Sequence, residues 1–153
     1  MNTSSARASL KGDMSATGTV RVMLVEDHAA FRQALAFLLE HEESDIEVVA
    51  QAGSLAGARD ALLDGRLDVA VLDLVLPDGD GSELIGELRL RNPGVSVVVL
   101  SAAMGPGDLD EAVKAGADAV LDKMESIPAI AGEVRRLGVR RLGGAGEHPE
   151  TPT

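Results

Sequence analysis

Glu26 and Asp27, Asp73, Ser101 and Lys123 are residues fit for phosphoryl chemistry, and each position closes a short, β-rich apolar run. The runs are Val20-Arg21-Val22-Met23-Leu24-Val25, Val69-Ala70-Val71-Leu72, Val95-Ser96-Val97-Val98-Val99-Leu100 and Ala119-Val120-Leu121. Strands of one parallel sheet share a direction, so polar residues at their carboxyl ends collect at one rim, where doubly wound domains bind ligands. Carboxylates gathered there repel, by roughly 4 kcal/mol for two charges 4 Å apart at an effective dielectric near 20. A divalent cation and the Lys123 ammonium would offset that repulsion, and oxygen-only donors with room for water favour Mg²⁺, or Mn²⁺, over zinc. In such a site one carboxylate can attack phosphorus to form an aspartyl phosphate, and Asp73 is the best placed nucleophile. Ser101 could donate its hydroxyl to a phosphoryl oxygen while Lys123 adds a second positive charge.

The elements that must position these residues alternate along the chain. Phe31, Ala34, Leu35, Leu38 and Leu39 recur at helical spacing, with Phe37 off the stripe and partly exposed. A strand near 46–50 leads to a helix over about 54–63, with Ser54 as its N-cap and Gly65 as its stop. After Asp73, the Pro77-Asp78-Gly79-Asp80-Gly81 stretch is turn chemistry, and a helix over 82–90 follows before Asn92-Pro93 breaks it. A short helix over 108–115 closes at Gly116, and a last one begins with Pro128 in its first turn and runs to about 141, with Ile130, Val134 and Leu137 facing inward. The expected fold is α/β: a doubly wound, five-stranded parallel sheet in the order 2-1-3-4-5 with five helices, a three-layer flavodoxin-like domain over 19–142. Residues 1–18 read as a disordered leader and 143–153 as a flexible tail.

Composition narrows the function. With 153 residues, 45% of them hydrophobic, the chain suits one domain with a core of Val, Leu, Ile and Ala. The absence of cysteine removes disulfides and thiolate chemistry, so a cytoplasmic location is the simplest reading. A formal charge of −11 opposes broad attraction to nucleic acid, and two phenylalanines are too few for base-stacking platforms. No run approaches a membrane span.

Here the residues reach a known family. Val25-Glu26-Asp27-His28, the stretch Val71-Leu72-Asp73-Leu74-Val75-Leu76-Pro77-Asp78-Gly79-Asp80-Gly81, Val99-Leu100-Ser101-Ala102, and the stretch from Ala115 to Lys123 resemble a response-regulator receiver domain, CheY-like in fold, with local wording of the NarL/FixJ-type subgroup. The resemblance implies Asp73 as phosphoacceptor, with Glu26, Asp27, Asp73 and the Val75 backbone carbonyl on the metal. It further implies Ser101, the Ala102 backbone and Lys123 as the phosphate-binding switch. Val120 stands where the family usually carries a rotating aromatic. The implied function is a stand-alone receiver of a two-component phosphorelay and not a turnover enzyme. Its phosphodonor would be a histidine kinase or histidine phosphotransfer protein, and its effector would bind the face formed by the fourth helix, fifth strand and fifth helix. A homodimer is compatible with that reading; direct DNA binding is not expected, because no helix-turn-helix follows.

Other readings are weaker. A haloacid dehalogenase-type hydrolase would need an acid two residues after the nucleophile, where Val75 stands. A phosphorylation-independent interaction module that keeps only the receiver fold is the main rival. His28, His41 and His148 lack ligand spacing, and Glu83 stands where an EF-hand loop starting at Asp78 needs glycine. The arginines at 135, 136, 140 and 141 suit a solvated helix face. The Gly105-Pro106-Gly107 stretch is loop punctuation or a hinge beside Ser101. Val75 and Ala103 flank the expected phosphoryl site with apolar side chains, which predicts a long-lived phosphoaspartate.

Overall fold

In the computed structural model, which describes residues 18–42, 45–62, 65–102 and 106–147, the valine-rich runs form one parallel sheet. Its strands are β1 (Val20–Val25), β2 (Ile46–Ala52), β3 (Val69–Asp73), β4 (Ser96–Ser101) and β5 (Ala119–Asp122), laid side by side as β2-β1-β3-β4-β5. This is the expected order 2-1-3-4-5. All pairings within it are parallel. A separate two-stranded antiparallel ribbon, Val75–Leu76 against Gly79–Asp80, follows β3 directly.

Side chains alternate across a strand, so each valine-rich strand feeds two faces. Val20, Val22 and Leu24 of β1 point to the layer containing helices α1 (Ala29–Glu42) and α5 (Ile127–Glu147), where Leu35, Leu39, Ile130, Val134 and Leu137 complete one core. Met23 and Val25 point the other way. There Leu55 and Ala58 of α2 (Leu55–Ala61), Leu84, Ile85 and Leu88 of α3 (Glu83–Arg91) and Ala112 of α4 (Pro106–Ala115) build the second core.

Several local expectations are corrected. The buried row of α1 centres on Leu35 and Leu39 and takes in Ala36, while Ala34 faces solvent; Phe37 is 60% exposed. At about 100° per residue, Leu39 lies about 60° from Ala36 but about 140° from Ala34, so the buried arc runs from Leu35 through Leu39 to Ala36 and leaves Ala34 outside it. Ser54 caps α2 as expected, its hydroxyl accepting from the Gly57 N–H, but the helix ends at Ala61, before Gly65, whose φ is +93°. α4 begins two residues early, at Pro106, a residue whose fixed φ suits a first turn. α5 continues to Glu147, past the expected end near 141 and into the segment read as tail. Glycine costs a helix interior only about 1 kcal/mol per residue, propagation from a formed helix is cheap, and no proline intervenes before Pro149. The leader at 1–17, Ala103, Gly105 and residues 148–153 lie outside the described residues.

Candidate functional site

Glu26 follows β1 immediately, and its amide donates to the Ala52 carbonyl, extending the β1–β2 pairing by one residue. Burial is nearly complete, at 3% exposure. One carboxylate oxygen, Oε2, accepts from the His28 N–H and from Lys123 Nζ, each at 2.9 Å; the other, Oε1, is buried with no hydrogen-bond partner. Asp73 closes β3 and divides its oxygens: Oδ1 accepts from the Val75 N–H at 3.0 Å and Oδ2 from Lys123 Nζ at 3.2 Å. Asp27 is exposed and offers a carboxylate oxygen to the same place, so that ligand atoms of Glu26, Asp27 and Asp73 lie within 4.8 Å of one another. It is the only such cluster of His, Asp and Glu among the described residues.

The β4–β5 register brings in the remaining positions. Ser101 is paired with Asp122 and buried, and its carbonyl accepts from the Lys123 N–H at 2.9 Å, which fixes the lysine beside the carboxylates. Ala102 follows at the exposed rim. Val75 is 76% exposed, in the ribbon opposite Asp80. Val120 pairs with Val99, is half-buried, and packs against the core on the α2, α3 and α4 side. Glu26, Asp27, Asp73 and Lys123 thus gather at one place, while Ser101 and Ala102 lie at the adjoining end of β4 and Val120 sits two residues inside the end of β5.

Charge explains the arrangement. Burial raises the Glu26 pKa above that of an ordinary glutamate, and the Asp73 charge adds to this; the hydrogen bonds from Lys123 and His28 offset it only in part. For Lys123, burial favours the neutral amine, but the hydrogen bond to Glu26 and the charges of Asp73 and Glu26 outweigh it and hold the pKa above the usual lysine value. One ammonium faces three acids. A buried carboxylate oxygen without a donor, beside two further carboxylates of which one opens to solvent, fits a hard divalent cation that keeps part of its water shell.

Four supporting residues escape a reading of motifs. Phe31 places its ring 5.3 Å from Lys123 Nζ, a cation–π contact made by a residue that periodicity marks only as core. Arg32 donates from Nη1 to the Glu26 carbonyl at 2.6 Å and from Nε to Gln51 at 3.3 Å, pinning the turn that carries both acids. Gly81 leaves no room for a side chain: a Cβ there would lie 2.0 Å from the Asp73 carbonyl oxygen, while its N–H donates to Leu74. Asp78 accepts from the first amides of α2. Its turn position was legible, its partner was not. His28 and His41 are exposed, and His41 stacks on Phe37 with ring centroids 3.9 Å apart. Arg136 is paired with Glu133.

Comparison with known proteins places this geometry. The family model for the response regulator receiver domain matches residues 22–135. The DNA-binding transcriptional activator DevR/DosR of Mycobacterium tuberculosis is 36% identical over 122 residues, covering 80% of this chain and 56% of the relative. The receiver domain of the putative response regulator NarL from M. tuberculosis superposes with a TM-score of 0.68 at 27% identity, covering 79% of this chain and 97% of that one. A CheY-like receiver from Methanospirillum hungatei gives a TM-score of 0.71 at 20% identity, covering 86% and 99% of the two chains. The chain spans about half the length of the curated relatives it matches.

Proposed function

Because this chain belongs to the response regulator receiver domain family and so to two-component signalling, we propose that it accepts a phosphoryl group on Asp73 from a histidine kinase or histidine phosphotransfer protein and thereby switches a protein-binding face. The single observation carrying this reading is the buried, donorless Glu26 Oε1 in a cluster with Asp27 and Asp73, bridged by Lys123.

Glu26, Asp27, Asp73 and the Val75 carbonyl would hold Mg²⁺ or Mn²⁺, which supplies positive charge to the transferring phosphoryl group. The chain's own residues do the rest. An Asp73 oxygen forms the new P–O bond as the P–N bond of the donor phosphohistidine breaks, and the leaving imidazole nitrogen takes up a proton. The Val75 N–H, bonded to Oδ1, orients the carboxylate for that attack. Lys123, kept protonated by its acidic neighbours, places a fixed charge beside Oδ2 where the acyl phosphate gathers negative charge. The Ser101 hydroxyl and Ala102 backbone complete the phosphate cradle. Engagement of Ser101 and Lys123 shifts an existing equilibrium of the face made by α4, β5 and α5 toward the effector-binding form. The acceptor is then a substrate of the kinase and not a turnover enzyme. No helix among the described residues is long and apolar enough to cross a membrane, in keeping with a proposed cytoplasmic site of action.

Incubation with a small-molecule phosphodonor should label the wild-type chain only when Mg²⁺ is present, and Asp73→Ala should abolish labelling while keeping its circular dichroism spectrum. Equal labelling of the variant would overturn the assignment. Half-buried Val120 favours one rival, a module that binds partners without phosphorylation, since no aromatic there can follow Ser101. Wild-type signalling by Asp73→Asn would select that rival.

A further inference from the structure

Asp78 lies in the turn of the ribbon, and both oxygens of its carboxylate are taken by a helix earlier in the chain. Oδ1 accepts from the Leu55 N–H at 2.7 Å and Oδ2 from the Ala56 N–H at 3.0 Å. With Ser54 accepting from the Gly57 N–H, three first-turn amides of α2 are satisfied, two of them by a residue outside the helix. The next residue strengthens the contact. Gly79 has a φ of +154°, and a Cβ there would come within 2.5 Å of Leu55 Cδ1, so the turn rests directly on a side chain that is only 2% exposed.

The other end of the ribbon is tied to the phosphoacceptor. Val75 donates its N–H to Asp73 Oδ1 and pairs with Asp80, while Gly81 donates to the Leu74 carbonyl and packs against that of Asp73 without room for a side chain. The segment is short and clamped at both ends, at Asp73 by Val75 and Gly81, at α2 by Asp78. A ribbon of two residues per strand has too few hydrogen bonds to hold its shape alone.

We propose that Asp78 is a positioning residue for the acid site: by fastening the ribbon turn to the first turn of α2, it holds Val75, whose amide orients Asp73. The part of this inference that concerns the cation rests on the assignment of the Val75 carbonyl to Mg²⁺ made above. The α2 N-terminus acts as the anchor of the loop that carries the phosphoacceptor's neighbour. Its own amides are the fastening points.

Three variants separate positioning from simple helix stability. Asp78→Ala removes both bonds, Asp78→Asn keeps a carbonyl oxygen for one of them, and Ser54→Ala weakens the same helix end while leaving Asp78 in place. In metal-free protein, amide exchange at Val75 should quicken at least tenfold in Asp78→Ala, less in Asp78→Asn, and stay near wild type in Ser54→Ala. Calorimetric titration with Mg²⁺ alone should show affinity lowered by about tenfold in Asp78→Ala, the lower end for losing a group that orients metal ligands, and unchanged in Ser54→Ala. Unaltered Val75 exchange in Asp78→Ala, or equal losses in Ser54→Ala, would overturn the inference. Exchange that depends on Asp78 in a chain that binds no Mg²⁺ would uphold the clamp and remove the metal assignment. Equal Mg²⁺ affinity in wild type and Asp78→Ala, with Val75 exchange quickened, would keep the clamp and overturn its role in holding the Val75 carbonyl for the cation.

Discussion

At Glu26 the site's function and the fold's stability pull in opposite directions. Its folded-state pKa lies above the ordinary glutamate value of 4.5 because the carboxyl is buried, so the folded chain holds that proton more tightly than the unfolded chain does. The Glu26 contribution to stability is therefore fully present below pH 4.5 and is lost as pH rises through the folded pKa. In metal-free protein, the unfolding free energy of wild type relative to Glu26→Gln should fall over that range; a pH-independent difference would refute this. Mg²⁺ binding should weaken as pH drops through the same range, because proton and metal compete for one carboxylate. Val75, largely exposed and apolar, offers no group to orient water toward a phosphorylated Asp73. The phosphoaspartate should therefore persist for minutes or longer, and Val75→Asn should shorten its life several-fold, as followed by loss of label; a wild-type half-time of seconds would count against this. Glu26, Asp73, Ser101 and Lys123 were legible because strand-end polarity is a one-dimensional signal. Asp78 and Arg32 were not, since each acts on a backbone group whose proximity only the folded chain creates.

Helices and strands carried most of the sequence signal, and their ends the least. The β-branched runs and the 3.6-residue stripes of α2 and α5 predict which faces are buried, because burial itself imposes those periods, while the stripe of α1 does so at Leu35 and Leu39 and not at Ala34. The end of α5 was missed because its glycines read as flexible tail, although each is only a modest penalty against a helix already nucleated. One of the α5 glycines has a different task. A Cβ at Gly138 would lie 2.5 Å from Val20 Cγ1, so the helix approaches β1 more closely than any other residue would permit. Gly138→Ala should destabilise the chain by about 1–3 kcal/mol through overpacking, even though alanine favours helix by about 1 kcal/mol. Adding Val20→Ala should recover part of that loss, giving a less than additive double variant in urea unfolding. Strict additivity would show that the close approach carries no strain for a larger residue.

For the molecule as a whole, a formal charge of −11 and a three-carboxylate cluster predict that a divalent cation held as proposed would stabilise the fold as well as serve the site. Ligand linkage gives about 2.7 kcal/mol at a hundred times Kd. Mg²⁺ should raise the Tm beyond an ionic-strength-matched sodium salt, and Asp27→Asn with Asp73→Asn should remove that excess; an equal rise in the double variant would point to screening alone. The sheet order, legible from alternating strands and helices, also sets a timetable. The β1 face formed by Val20, Val22 and Leu24 is covered by both α1 and α5, the first and last helices of the domain. At synthesis rates of about 5–20 residues per second, that face waits on the order of ten seconds for Ile130, Val134 and Leu137 to be made. During that interval the nascent chain presents a half-dressed sheet to the cell, and the strand whose end supplies Glu26 shares that open face with β3 and β4 until α5 arrives.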